Sequence, residues 1–253
     1  MDLYNIGKTP LALALGFGEV TINRYFNRQV PSKEYSDIMR AALYDVGYFK
    51  HLLDSNKEKV GDFAYSKALV AIESIQKQFS KMSGQLLAVI ATIFAYSSDI
   101  TPLALQKLLY YINNIHRVKY GKKVFNDACE AWVHGPVYRD VYYLFKGFKY
   151  NPIDDARIHL LKGCDEHLPE YTKEIIYNVL ATFGMYSGKA LETITHGETP
   201  WTLARDGYLP SELGYGEISE EILEEYFKEK NAQYNLATIS GMNCYIKDML
   251  KNS

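Results

Sequence analysis

Hydrophobic positions recur at three- and four-residue intervals along most of the chain, the spacing of amphipathic helices. Near the start, Leu11, Ala14 and Leu15 mark one short helix. Val20, Ile22, Tyr25 and Phe26 mark a second, and Ile38, Ala41 and Ala42 a third. Gly16-Phe17-Gly18 breaks the pattern between the first two, and a loop over 27–32 with Pro31 precedes the third. Helix, glycine turn, helix is the outline of a helix-turn-helix. Residues 45–80 read as a polar connection containing Lys57-Glu58-Lys59 and Gly61, and end in a helix carrying Leu69, Ile72, Ile75 and Phe79 on one face. Met82-Ser83-Gly84 then suggests a boundary. The chain thus divides into a small helical module over 1–50, a linker helix over 51–83 and a larger helical domain over 84–253.

Within that larger domain, residues 85–96 are apolar nearly all round and predict the central buried helix. Thr101-Pro102 is a start signal, with threonine as N-cap and proline at the first helical position. The helix it opens carries Leu105, Leu108, Leu109, Ile112 and Ile115 and ends before Gly121. Val137, Val141, Leu144, Phe145 and Phe148 trace another helix, and Ile175, Ile176, Val179, Leu180 and Phe183 one more, stopped by Gly184. Ser219 caps a last, acidic helix, with Ile218 and Leu223 placed as a hydrophobic staple. Only 124–133 alternates enough to suggest a short strand. The expected fold is mainly α, with at most a short β-hairpin.

Composition narrows the class. The 253 residues are 47% hydrophobic and 23% charged without low-complexity tracts, which excludes wholesale disorder. Three widely spaced cysteines with no CxxC argue for a reducing compartment and against structural zinc. The N-terminus has no basic region followed by an apolar core. The apolar run over 86–96 falls far short of the ~20 residues that a membrane span needs. These features predict a cytoplasmic protein without membrane contact. The net charge of −2 conceals an uneven distribution. Residues 107–149 hold eight basic side chains against three acidic ones, and 190–230 hold ten acidic against three basic. Such polarity either steers a partner or pairs up inside one fold.

Candidate chemistry concentrates around the two tryptophans. One lies in Glu130-Ala131-Trp132-Val133-His134-Gly135-Pro136-Val137-Tyr138, the other in Thr195-His196-Gly197-Glu198-Thr199-Pro200-Trp201. Glu130, His134, His196 and Glu198 are the residue types of acid–base chemistry or metal binding. No HExxH, no histidine pair at helical spacing and no cysteine pair accompanies them, so structural or binding roles are favoured over catalysis, and no metal or cofactor is expected. Cys129, five residues before His134, reads as a buried thiol more than as a nucleophile. The aromatics Tyr110, Tyr111, Trp132, Tyr138 and Trp201, with Arg205, fit either an aromatic core or a binding groove.

Two families resemble parts of this chain. Gln106-Lys107-Leu108-Leu109-Tyr110, Glu130-Ala131-Trp132, His134-Gly135-Pro136-Val137, and Tyr142 with Phe145 are similar to the Panacea (SocA-like) antitoxin domain. The likeness continues through Tyr186-Ser187, the group from His196 to Arg205, and Ile222 with Tyr226-Phe227, about half of the chain. It implies an antitoxin that neutralises a cognate toxin, encoded by an adjacent gene, through direct protein–protein binding. It also implies that the protein is not an enzyme. Gln106, Lys107, Tyr110, Tyr111, Glu130, Trp132, His134, Gly135, Pro136, Tyr138, His196, Trp201 and Arg205 are the cluster that would bind the toxin or shape the domain. A stand-alone transcription regulator and a proteolytic adaptor delivering a partner to a protease are the alternatives. A homo-oligomer is compatible with each.

The second resemblance is to lambda-repressor-like (XRE-type) DNA-binding proteins. It rests on Leu11-Ala12, Leu15-Gly16-Phe17-Gly18, Thr21-Ile22-Asn23-Arg24-Tyr25 and Pro31. The family's first helix has no counterpart here, and Phe26 stands where a glutamate is usual. The resemblance makes operator DNA a candidate partner through Thr21, Asn23, Arg24 and Arg28, residue types that read bases or grip phosphates. The competing reading is a solvated helix face in a degenerate module.

Overall fold

A computed structural model of the chain describes residues 1–209 and 211–251. Among these, packing separates two compact units, Met1–Lys81 with Asp155–Lys162, and Met82–Asp154 with Gly163 onward. The fold is mainly α, and its strands form one two-stranded antiparallel hairpin.

The N-terminal unit contains α1 (Lys8–Ala14), α2 (Thr21–Phe26), α3 (Lys33–Tyr44), α4 (Val46–Ser55), α5 (Lys57–Val60) and α6 (Asp62–Phe79). The expected polar connection over 45–80 is therefore helical. Phe49, Leu53, Val60, Ala68, Ile72 and Ile75 enter the same core as Ala12, Ala14, Leu15, Phe17 and Ile22. The polar residues that make the segment look like a linker lie on the outer faces of its helices. Before α1 there is a single 3₁₀ turn, Asp2–Tyr4. Tyr4 stacks on Phe49 at 3.9 Å and donates its hydroxyl to the Ala42 carbonyl at 2.7 Å. Ala156–Leu161, from much later in the chain, also belongs to this unit, with Leu160 against its core.

The larger unit contains α7 (Gly84–Tyr96), α8 (Pro102–Tyr120), β1 (Glu130–Trp132), β2 (Gly135–Val137), α9 (Arg139–Phe145), α10 (Glu170–Thr182), α11 (Gly188–His196), α12 (Thr199–Ala204), α13 (Glu220–Tyr234) and α14 (Ile239–Lys251). The central helix is α8 and not α7. Every residue from Ala104 to His116 is buried, whereas both ends of α7 reach the surface. Periodicity points the other way because α8 carries Gln106, Lys107, Asn113, Asn114 and His116, which are usually found outside. Each of them has hydrogen-bond partners within the unit, and so each tolerates burial. The start signal of α8 forms as expected, with Thr101 Oγ1 accepting from Ala104 N, and Gly121 at φ +70° ends it.

Strand structure over 124–133 is confined to Glu130–Trp132. Upstream, the Val124 and Phe125 amides donate to Asn113 Oδ1 and the Phe125 carbonyl accepts from Asn113 Nδ2, so one buried side chain replaces a strand partner. The helix expected to begin at Val137 starts at Arg139, because Val137 is paired in the hairpin. No single described helix is long and apolar enough to cross a membrane.

Candidate functional site

Three elements meet at the centre of the larger unit: α8, the β1–β2 hairpin, and the α11–α12 corner. Glu198, the residue preceding α12, is fully buried and accepts three phenols. Tyr110 donates to its Oε2 at 2.8 Å and Tyr111 to its Oε1 at 2.7 Å, and Tyr245 from α14 also donates to Oε1. Burial pushes the Glu198 carboxyl up, a tendency that the three hydroxyls and the nearby Lys107 oppose. The same enclosure raises all three phenols well above their ordinary value.

Lys107 is enclosed completely, and its Nζ donates to the Pro136 carbonyl at 3.0 Å. Burial lowers its ammonium to about 7, with Cys129, Glu192 and Glu198 pulling the other way. That contact explains the glycine at the start of β2. The turn expected at Gly135-Pro136 lies instead at Val133-His134. Gly135 sits at φ +97°, and a Cβ there would lie 2.6 Å from Lys107 Nζ and 2.7 Å from Thr195 Oγ1. Gln106 closes the other end of β2, accepting from Tyr138 N at 2.8 Å through Oε1. Cys129 lies in the same interior, where burial pushes its thiol up to about 12 and keeps it protonated.

The tryptophans fasten the hairpin to α12. Trp201 Nε1 donates to the Trp132 carbonyl at 2.9 Å, and its ring stacks on His196 at 3.9 Å. Trp132 Nε1 donates to Glu130 Oε2 at 2.7 Å, and Arg139 holds the same carboxylate at 2.9 Å. Arg205, buried at the end of α12, donates to the carbonyls of Ala131 (3.2 Å), Leu209 (3.3 Å) and Glu212 (2.6 Å). Glu192 on α11 receives Lys189 at 2.9 Å and His134 at 3.1 Å. Burial raises its carboxyl, but those two partners outweigh it and leave a net lowering. Among the described residues no cluster of His, Cys, Asp or Glu could hold a metal ion.

These contacts sort the residues singled out from the sequence. Gln106, Lys107, Tyr110, Tyr111, Glu130, Gly135, Pro136, Tyr138 and Arg205 are buried. Trp132, His196 and Trp201 are half-buried, and His134 is exposed. Trp132, His134 and Gln106 border a surface groove of about 900 Å³ whose other walls include Tyr142, Tyr143 and Lys146. Glu192 and Tyr245 are central to the network and absent from the sequence-derived set. Glu192 lies one turn before the Thr195–Trp201 motif and outside it, and Tyr245 sits on α14, which no sequence signal announced. Glu198 was visible inside the His196–Trp201 motif but carried no mark of burial. In the N-terminal unit, Asn23, Arg24 and Arg28 are exposed and Thr21 is half-buried at the start of α2.

In this unit the buried Glu198 carboxylate and three phenols are hydrogen-bonded to one another, and an open aromatic groove lies beside the hairpin. Residues 105–202 match the profile of the family described as antitoxin SocA-like, Panacea domain. The chain is also 32% identical over 144 residues to Antitoxin SocA of Caulobacter vibrioides (strain NA1000 / CB15N), a stretch covering 53% of this chain and 75% of that protein. The chain belongs to the SocA-like Panacea antitoxin family. No solved structure matches it significantly.

Proposed function

We propose that this protein is an antitoxin that neutralises a toxin by binding it directly in a stoichiometric complex. The observation that carries the reading is the family match, which spans α8, the hairpin and the α11–α12 corner. The geometry agrees with it. The carboxylate and phenols at the centre are spent on one another, the lysine on the Pro136 carbonyl, and the thiol is held protonated, so what the domain offers is a shaped surface. Inhibition follows from covering the working surface of the toxin. Neutralisation needs no cofactor and no group transfer.

Co-expression with the product of the adjacent reading frame tests this. A stable complex should co-purify while the toxin level stays unchanged and growth is restored. Rescue with no complex, or rescue accompanied by loss of the toxin protein, would replace sequestration with another mode, the second outcome pointing to delivery to a protease.

A further inference from the structure

The basic excess over 107–149 is largely paired within the larger unit, and two of the lysines left over lie together. Of the eight basic residues between 107 and 149, Lys107 is buried. Arg117 and Lys123 hold Glu220, Lys119 lies 3.6 Å from Glu174, and Arg139 holds Glu130. Lys122, Lys146 and Lys149 have no carboxylate partner among the described residues; Lys122 lies over the Tyr171 ring and Lys146 over the Tyr143 ring at 4.7 Å. Lys146 and Lys149 both line the groove beside the hairpin. Lys189 lines it too, but its charge is met by Glu192.

Between these cations the groove is aromatic. Trp132 packs edge-on against Tyr142 at 4.8 Å and against Tyr215 at 5.3 Å. Tyr143 and Tyr215 are 52% and 50% exposed, and Leu213 beside them 69%. Large side chains exposed together around a concavity mark an interaction surface. The wall bearing Leu213 and Tyr215 is a loop that Arg205 ties to β1 through its carbonyls, so it is set before any partner arrives and little ordering is lost on binding.

We propose that this groove receives an acidic segment of the partner toxin carrying an aromatic or large aliphatic anchor. The inference rests on the antitoxin reading above and names the surface that performs it. Two lysines without a carboxylate partner suit two carboxylates, and the tyrosines with Leu213 suit an apolar side chain between them. A nucleic-acid strand fits less well. Two free cations grip about two phosphates, a weak electrostatic hold.

The experiment compares the full-length wild type with the Lys146→Glu/Lys149→Glu double variant and with Tyr215→Ser, all three positions being exposed. Titration calorimetry against the purified product of the adjacent reading frame should show affinity reduced by roughly tenfold or more in each variant, with melting temperatures unchanged. The double variant should also associate more slowly and lose the salt dependence of association. Overlapping peptides tiling that product should bind the wild type only where they are acidic and carry an apolar anchor. Reversing their acidic residues should restore binding to the double variant. Unchanged affinity in both variants would overturn the proposal and leave the antitoxin reading intact, whereas no binding by the wild type would remove both. Displacement of the toxin by a single-stranded oligothymidylate, or a wild-type dimer abolished by the substitutions, would assign the groove to nucleic acid or to a second copy and overturn the proposal.

Discussion

A lysine with no access to water is the residue whose behaviour is most easily measured. Lys107 in the folded protein titrates at about 7, against about 10.4 for an unperturbed lysine. Between these values the unfolded chain binds the extra proton, so stability rises with pH, by at most about 1.4 kcal/mol per pH unit. The buried Cys129 thiol and the buried tyrosines oppose the trend from about pH 8.5 upward, as these groups begin to ionise in the unfolded chain and stay protonated in the folded one. Urea unfolding of the wild type should therefore show increasing stability from pH 7 to about 8.5 and a decline at higher pH. Lys107→Met, close in volume and free of the desolvation cost, should fold and show a flatter profile. An unchanged slope in Lys107→Met would mean that another group carries the effect.

Among the elements, α2 decides how the DNA-binding resemblance is to be weighed. It is six residues long, about 9 Å, and a turn through Arg28 at φ +67° follows it. One 3₁₀ turn, Asp2–Tyr4, lies before α1. Phe49, Leu53 and Val60 share a core with the apolar residues of α1 and α2, and α4 and α5 pack against α1. A short helix with Arg24, Arg28 and nearby Lys33 neutralises few phosphates, and each contributes only about one unit of salt slope. Gel-shift titration of the protein alone on its own promoter should give affinity well below the 10⁻⁸ M typical of specific regulators at physiological salt. Tight, sequence-specific binding there would restore α2 as a reading helix and favour the regulator alternative.

For the whole molecule, the division of the chain is not a single cut. Ala156–Leu161 packs with the N-terminal unit, where His159 lies against Tyr44 and Arg157 Nη1 donates to Gln78 Oε1 at 2.6 Å. A truncated chain beginning at Met82 should keep the α8 core and lose the partner surface of this segment. Hydrogen exchange would then show amides of Ala156–Leu161 unprotected while those of α8 stay protected. Protection of the segment in the truncated chain would show that it is held by other contacts.

Much of this architecture was legible in the residues themselves, and the reason is local. Helix periodicity, the Thr101-Pro102 start, the Ser219 cap and the Gly121 stop act over a few neighbours, so reading a short window suffices to place α8 and α13. The hairpin motif was visible as Trp132, His134 and Gly135-Pro136, and family resemblance supplied its meaning. Tertiary structure alone decided which polar groups go inside. A lysine, an asparagine and a histidine on α8 look like surface residues until distant partners meet them: Pro136 for Lys107, Phe125 for Asn113 and Thr172 for His116. The Glu198 cage joins residues 47 to 88 positions apart, and the groove joins α9, α11 and the loop bearing Tyr215. Burial of a charge and the shape of a cleft are properties of many elements packed together, and no local pattern encodes them.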